Sequence, residues 1–232
     1  LRTAANPHWF VANSENVRRR IRDIYGREAE VIYPPVQAAA MELSERDDGY
    51  FLMVTAMVPY KRVVLAVEAF TRTNRQIVGV GDGPESGRLR REAGPTVSFK
   101  GWLPDAEVRA LYAGCSGVVF PGAEDFGIVP VEAMAAGKPV VAFAQGGALE
   151  TVVEGRELAT GVLFTEQTAD ALIAAVERCR NIRFDREAMR RFALSFDRER
   201  YKDAMAAYVE RRLRGHKSAQ PYGTKEVIGP IR

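Results

Sequence analysis

The sequence predicts an α/β domain built on one parallel sheet with helices on both faces. Two observations carry that reading. Apolar runs of strand length alternate with helical stretches of about ten residues. Glycines and prolines stand where those runs stop, as helix ends and turns require.

The elements follow in order. "FVAN" (10–13) reads as a strand leading into a helix from Ser14 to Tyr25, and "AEVIYPPV" (29–36) as an extended segment that Pro34-Pro35 ends. After the polar stretch "ELSERDDG", "YFLMVTAMV" (50–58) reads as a buried strand. "YKRVVLAVEAFTRT" then places Val63, Val64, Val67 and Phe70 on one helical face. "QIVGVG" is a strand closed by the turn "GDGPESG", and "GRLRREAG" a helix that stops on glycine. "TVSFKGW", "SGVVFP", "KPVVAF" and "GVLF" read as further strands. Between and after them, "PDAEVRALYAGC", "GIVPVEAMAAG" with Gly137 as its stop, "GALETVVEG" and "TADALIAAVERCR" read as helices. Two more helices are expected at 185–194 and 197–213, the second with Tyr201, Met205, Tyr208, Val209 and Leu213 on one stripe. Past Gly215 the periodicity fades, which predicts an irregular tail.

Composition narrows the function classes. The chain has 232 residues, 47% hydrophobic and 27% charged, enough for a sizeable core. No run approaches the length of a membrane-spanning helix. The opening residues lack both an initiator Met and a signal-peptide pattern, so a piece of a longer or processed chain is expected. Cys115 and Cys179 lack metal-ligand spacing and read as reduced thiols. His8 and His216 lie near opposite ends, so neither a metal site nor a histidine triad is expected. A net charge of +3 gives no case for nucleic acid. Basic clusters at 18–22, 88–92 and 210–217 read as solvated helix faces, or as a surface that favours anionic lipid or a phosphorylated ligand.

The stretch "FPGAEDFGIVPVEAMAAGKPVVAF" (120–143) concentrates the chemistry. In a parallel sheet ligands bind beyond the carboxyl ends of strands, where loops meet helix N-termini. Amides at such a helix start are unpaired and attract anions, phosphate above all. Gly127 removes the side chain that would block the approach to Phe126, Ile128 and Val129. Glu124 and Glu132, eight positions apart, can accept hydrogen bonds from hydroxyls of a ligand held there. On spacing alone, a turn residue and a solvated helix residue are equally good readings of the two. The fingerprint of dinucleotide binding fails at Pro84, where a glycine belongs.

"EDFGIVPVE" resembles the E-x7-E signature of retaining glycosyltransferases of family 4. "VPYKRVVLAVEAF", "GVGDGPE", "PTVSFKGWLPDAEVRALYAGCSGVVFPG" and "AGKPVVAFAQGGALETVVEG" resemble, in the same order, the nucleotide-sugar half of that family's GT-B fold. The likeness runs from about Ala29 to Arg200 and is strongest to bacterial mannosyltransferases of surface-polysaccharide assembly. It implies a retaining hexosyl transfer from a nucleotide sugar, GDP-mannose first, to a glycan or lipid-linked acceptor. No metal and no further cofactor are implied. Lys61 then corresponds to the lysine that binds the donor diphosphate and Glu124 to the residue that contacts the transferred sugar. Glu132 takes the ribose, and the base sits near Lys100, Gly101 and Trp102. Gly81, Gly83, Gly146 and Gly147 line the cleft. The arginine that family members carry five residues before the lysine is Ala56 here, and Arg62 is the candidate replacement.

The resemblance also divides the chain into 1–28 as remnant of an acceptor domain, 29–200 as donor domain, and 201–232 as crossover helix and tail. It implies a cytoplasmic location with peripheral contact at the inner membrane face. A fragment that binds the donor without transferring it and a sugar-nucleotide epimerase are the alternative readings.

Overall fold

The computed structural model describes residues 6–219. Strand β1 (Phe10–Ala12), helix α1 (Glu15–Tyr25) and strand β2 (Ala29–Val31) form a small unit in which β1 and β2 pair in parallel. Beyond it come β3 (Tyr50–Val54), α2 (Val63–Arg72), β4 (Gln76–Val80), α3 (Ser86–Glu92), β5 (Val97–Gly101) and α4 (Asp105–Gly114). The second half holds β6 (Gly117–Phe120), α5 (Ile128–Ala135), β7 (Val140–Phe143), α6 (Ala148–Thr151), β8 (Gly161–Phe164) and α7 (Ala169–Arg180). Helices α8 (Arg186–Ala193) and α9 (Arg198–Ala219) close the described chain.

Strands β3 to β8 make one parallel sheet in the order β5-β4-β3-β6-β7-β8. Alternate residues of each strand go to opposite faces. Leu52, Val118, Val140 and Ala142 join one core with Tyr112, Met134 and Met189, while Phe51, Met53, Val119 and Val141 join another with Phe70, Leu172 and Val176. Both faces are covered, so the strands carry almost uninterrupted apolar sequence. The chain builds outward from β3 to β5, returns to lay β6 beside β3, and continues outward to β8. That reversal opens a crevice at the carboxyl ends of β3 and β6.

Helix α5 is short, nearly all apolar, and packs against α8. Its carboxyl end is held by cations of α8. Arg190 Nη1 donates to the carbonyls of Ala135 at 2.7 Å and Met41 at 2.6 Å, and Arg186 Nη1 to those of Gly137 and Ser44. These bonds satisfy carbonyls that the helix leaves open and place positive charge at the negative end of its dipole.

Ala29–Val31 pairs with Phe10–Ala12 and not with the large sheet. One expectation is corrected. Helix α9 runs on to Ala219, past the expected end at 213, so residues 216–219 are helical rather than irregular. Residues 214–219 carry no apolar period, which is why periodicity missed them. The rest of the expected tail, 220–232, lies outside the described residues.

The stripe on α9 is divided. Tyr208 is buried, whereas Val209 and Leu213 are exposed. Arg211 and Arg212 pair with Glu30 on β2, fastening α9 to the small unit. Cys115 and Cys179 are free and buried, and burial pushes both thiols up to about 12.

Candidate functional site

A cleft of about 810 Å³ opens at the carboxyl ends of β3 and β6. Lys61, Gly81, Trp102, Glu124, Phe126, Gly127, Ile128 and Val129 line it, together with Asn13, Pro34, Thr55, Ala56, Tyr60, Asp82 and Asp125. A larger hollow of about 1410 Å³ lies at the opposite edge, near Gly49, Gln76, Ser116 and Pro139 at the amino ends of the strands. None of the sequence candidates lines it, and ligand-binding loops belong to the other edge. The smaller cleft is therefore the candidate site.

Lys61 ends a single 3₁₀ turn, Pro59–Lys61, at the exit of β3. Its Nζ is paired with Glu124 Oε1, and the two side chains are only 14% and 24% exposed. The same ammonium lies 5.2 Å from the centre of the Tyr60 ring. The ion pair spans the crevice, one partner from each of the two strands that define it. A pair so far removed from water is costly to separate by deleting one member.

Arg62 follows with φ 54, a left-handed conformation that bulky residues rarely adopt. It turns the chain from the 3₁₀ turn into α2 and is exposed, but it does not line the cleft.

The start of α5 forms the opposite wall. Gly127 has φ 88, and a Cβ there would lie 3.0 Å from the Phe120 ring. No side chain caps the amides of α5, and no acidic residue stands in its first turn. Glu132 lies one turn further and does not line the cleft. The buried Tyr112 hydroxyl donates to its Oε2 at 2.9 Å. Burial raises the Glu132 carboxyl above the usual range, an effect that the Tyr112 hydrogen bond partly offsets.

The glycines divide into lining and supporting ones. Gly81 lines the cleft, and its amide donates to the Gly101 carbonyl at 2.8 Å. A Cβ at Gly81 would lie 2.1 Å from the Thr55 carbonyl, and one at Gly83 would lie 2.5 Å from the Met57 carbonyl. Both glycines let the β3–α2 and β4–α3 loops touch backbone to backbone. Gly146 and Gly147 do the same for the Glu124 loop. The Gly147 amide donates to the Glu124 carbonyl at 2.8 Å, and a Cβ on Gly146 would lie 2.2 Å from that oxygen. Gly83, Lys100, Gly101, Gly146 and Gly147 do not line the cleft. Trp102 stands at its rim, 77% exposed.

Sequence reasoning missed Gly122, where a Cβ would lie 2.9 Å from Lys61 Cα. The "PG" after a strand is the only signal, and it marks a turn without saying what approaches it. Asn13 and Pro34 were missed because they reach the cleft from separate segments, and Asp125 although it stands between Glu124 and Phe126. Among the described residues, no group of His, Cys, Asp and Glu could hold a metal ion, and no helix is long and apolar enough to cross a membrane.

Residues 39–195 match the family model of glycosyl transferases group 1. The chain belongs to this family. Among curated group 1 relatives, the O-antigen chain mannosyltransferase C of Escherichia coli is 27% identical over 217 residues, covering 87% of this chain and 58% of the relative. A GDP-mannose-dependent phosphatidylinositol monomannoside mannosyltransferase of Mycolicibacterium smegmatis is 31% identical over 62% of this chain and 43% of its own length. In structure, the Anabaena HepE protein in complex with UDP and glucose superposes with a TM-score of 0.75 at 23% identity, over 87% of this chain and 62% of that one. The likeness establishes the fold, the Rossmann-like architecture of GT-B glycosyltransferases. This group 1 chain spans 58% of the length of the first of these curated relatives.

Proposed function

We propose that the cleft binds a nucleotide-sugar donor and serves a retaining transfer of a hexose, mannose from GDP-mannose first, to a glycan or lipid-linked acceptor. The Lys61–Glu124 pair at the crevice between β3 and β6 carries the reading. In it, Lys61 meets the diphosphate together with the uncapped amides of α5, where an anion is favoured by the helix dipole. Glu124, released from Lys61 by the incoming phosphate charge, accepts from a sugar hydroxyl. Glu132, one turn along the same helix behind the cleft wall, keeps one oxygen on Tyr112 and meets the ribose only if the donor reaches past the lining residues. Trp102 presents an exposed indole face to the base.

The chemistry asked of this half is charge stabilisation. As the bond from the sugar carbon to the diphosphate breaks, negative charge gathers on the leaving oxygens, where Lys61 and the amides already point. Dipoles fixed in advance are worth far more than mobile water there. Mannosyltransferases among the group 1 relatives support the choice of sugar. Acceptor contact and any peripheral membrane association go with the reading of the whole protein.

Calorimetry with GDP-mannose, GDP and UDP-glucose tests the proposal on the wild-type chain and on Lys61→Ala. The variant is expected to lose about 2 kcal/mol toward GDP and GDP-mannose alike, roughly thirtyfold in Kd. Silence of the wild type toward every nucleotide removes the donor site, and preference for UDP-glucose removes the guanine and mannose assignment.

A further inference from the structure

The amides of Glu15, Asn16 and Val17 open helix α1 and have no carbonyl within the helix to bond. One is answered locally: Val17 donates to Ser14 Oγ at 3.0 Å. The other two reach across the molecule. Glu15 donates to Glu150 Oε2 and Asn16 to Glu150 Oε1, each at 2.8 Å. A carboxylate that accepts two amides at the positive end of a helix makes a directed, charge-assisted contact.

Glu150 belongs to α6, the helix that opens on Gly146 and Gly147. Those two glycines hold the backbone of Glu124 and Phe126, through the Gly147 amide on the Glu124 carbonyl and close packing against Phe126. A second route joins the same parts. Burial, and after it the charge of Glu150, raises the Tyr33 hydroxyl, and the Tyr33 ring packs 5.5 Å from that of Phe126. Asn13, directly before the Ser14 cap, lines the cleft. The ion pair of Arg20 with Asp125 adds a third link, but both side chains are more than half exposed and salt screens it.

We propose that Glu150 is a positioning residue: by holding the start of α1, it fixes the small unit and the Glu124 loop in one arrangement, so that neither shifts without the other. The part of this that concerns sugar recognition rests on the donor-site reading above. The coupling itself does not.

Two measurements on wild type, Glu150→Ala and Glu150→Gln test it. Amide hydrogen exchange is followed over 14–18 and over 124–129, with the central strands as reference. Glu150→Ala is expected to speed exchange roughly fivefold in both segments, the size expected for losing a helix N-terminal partner, with the strands unchanged. Glu150→Gln, which keeps one acceptor oxygen, falls between. Faster exchange confined to 14–18, or spread through the whole sheet, overturns the coupling. In calorimetry, Glu150→Ala is expected to weaken GDP-mannose by a clearly larger factor than GDP, because both ligands use the α5 amides but only the sugar also depends on Glu124. Equal loss for both ligands overturns the positioning role. If the wild type binds neither, the donor-site reading fails and the exchange result still decides the coupling.

Discussion

At the start of α1 the amides of Glu15, Asn16 and Val17 all have side-chain partners, whereas the start of α5 has no side-chain cap and no acidic residue in its first turn. The carboxyl end of α5 is nevertheless secured by Arg190 and Arg186. So α5 has one end closed by protein cations and the other left facing a cleft with Lys61 across it. Other helices show that the chain readily supplies caps, Thr168 for α7 and Asp185 for α8. The difference separates two arrangements of the same groups: a closed helix start joins parts of the protein, and an open one leaves its amides to the cleft.

The largest effect is expected where the two helix starts are linked. Gly147→Ala sets a Cβ 2.2 Å from Phe126 Cα and 2.3 Å from its carbonyl oxygen, backbone that cannot swing aside. The variant should lose about 3 kcal/mol in urea unfolding. An unchanged midpoint would show that the Glu124 loop yields freely, and the contrast between a held and an open helix start would lose its basis. Ser14→Ala sharpens the contrast from the closed side. It should lose about 1 kcal/mol of stability, as helix caps do, and leave GDP affinity unchanged because Glu150 still holds the first two amides.

The smallest effect concerns Glu132. Burial raises its carboxyl, so the folded protein binds that proton more tightly than the unfolded chain does. Its ionisation therefore opposes folding as pH climbs through the carboxylate range, and the penalty is absent in acid. Glu132→Gln should raise the melting midpoint at neutral pH, and the gain should vanish below the ordinary glutamate value of about 4.3. A gain that persists in acid would mean that packing, not charge, is responsible. In the donor-site reading the same variant binds GDP less well, a stability gain set against function.

Much of the fold was legible because strands covered on both faces read as compact apolar words such as "YFLMV" and "GVVF". Their order in the sheet was not, since periodicity names a strand without naming its neighbours. The three-residue β2 was too short to show its allegiance, and the last turns of α9 carry no apolar period to read. At the site, Lys61, Glu124 and the start of α5 could be singled out because their motifs are local. Arg62, next to Lys61 in sequence, is absent from the cleft lining, and its left-handed backbone turns the chain into α2. Glu150 had no local signal at all. Its partners lie 134 and 135 positions away.

The exposed indole of Trp102 has a practical consequence. The chain contains two tryptophans, and the other, Trp9, lies outside the cleft lining. An occupant that covers Trp102 replaces water around a fluorophore, so emission from a Trp9→Phe chain would follow the filling of the cleft with no added label. The protein carries its own lamp at the mouth of the site.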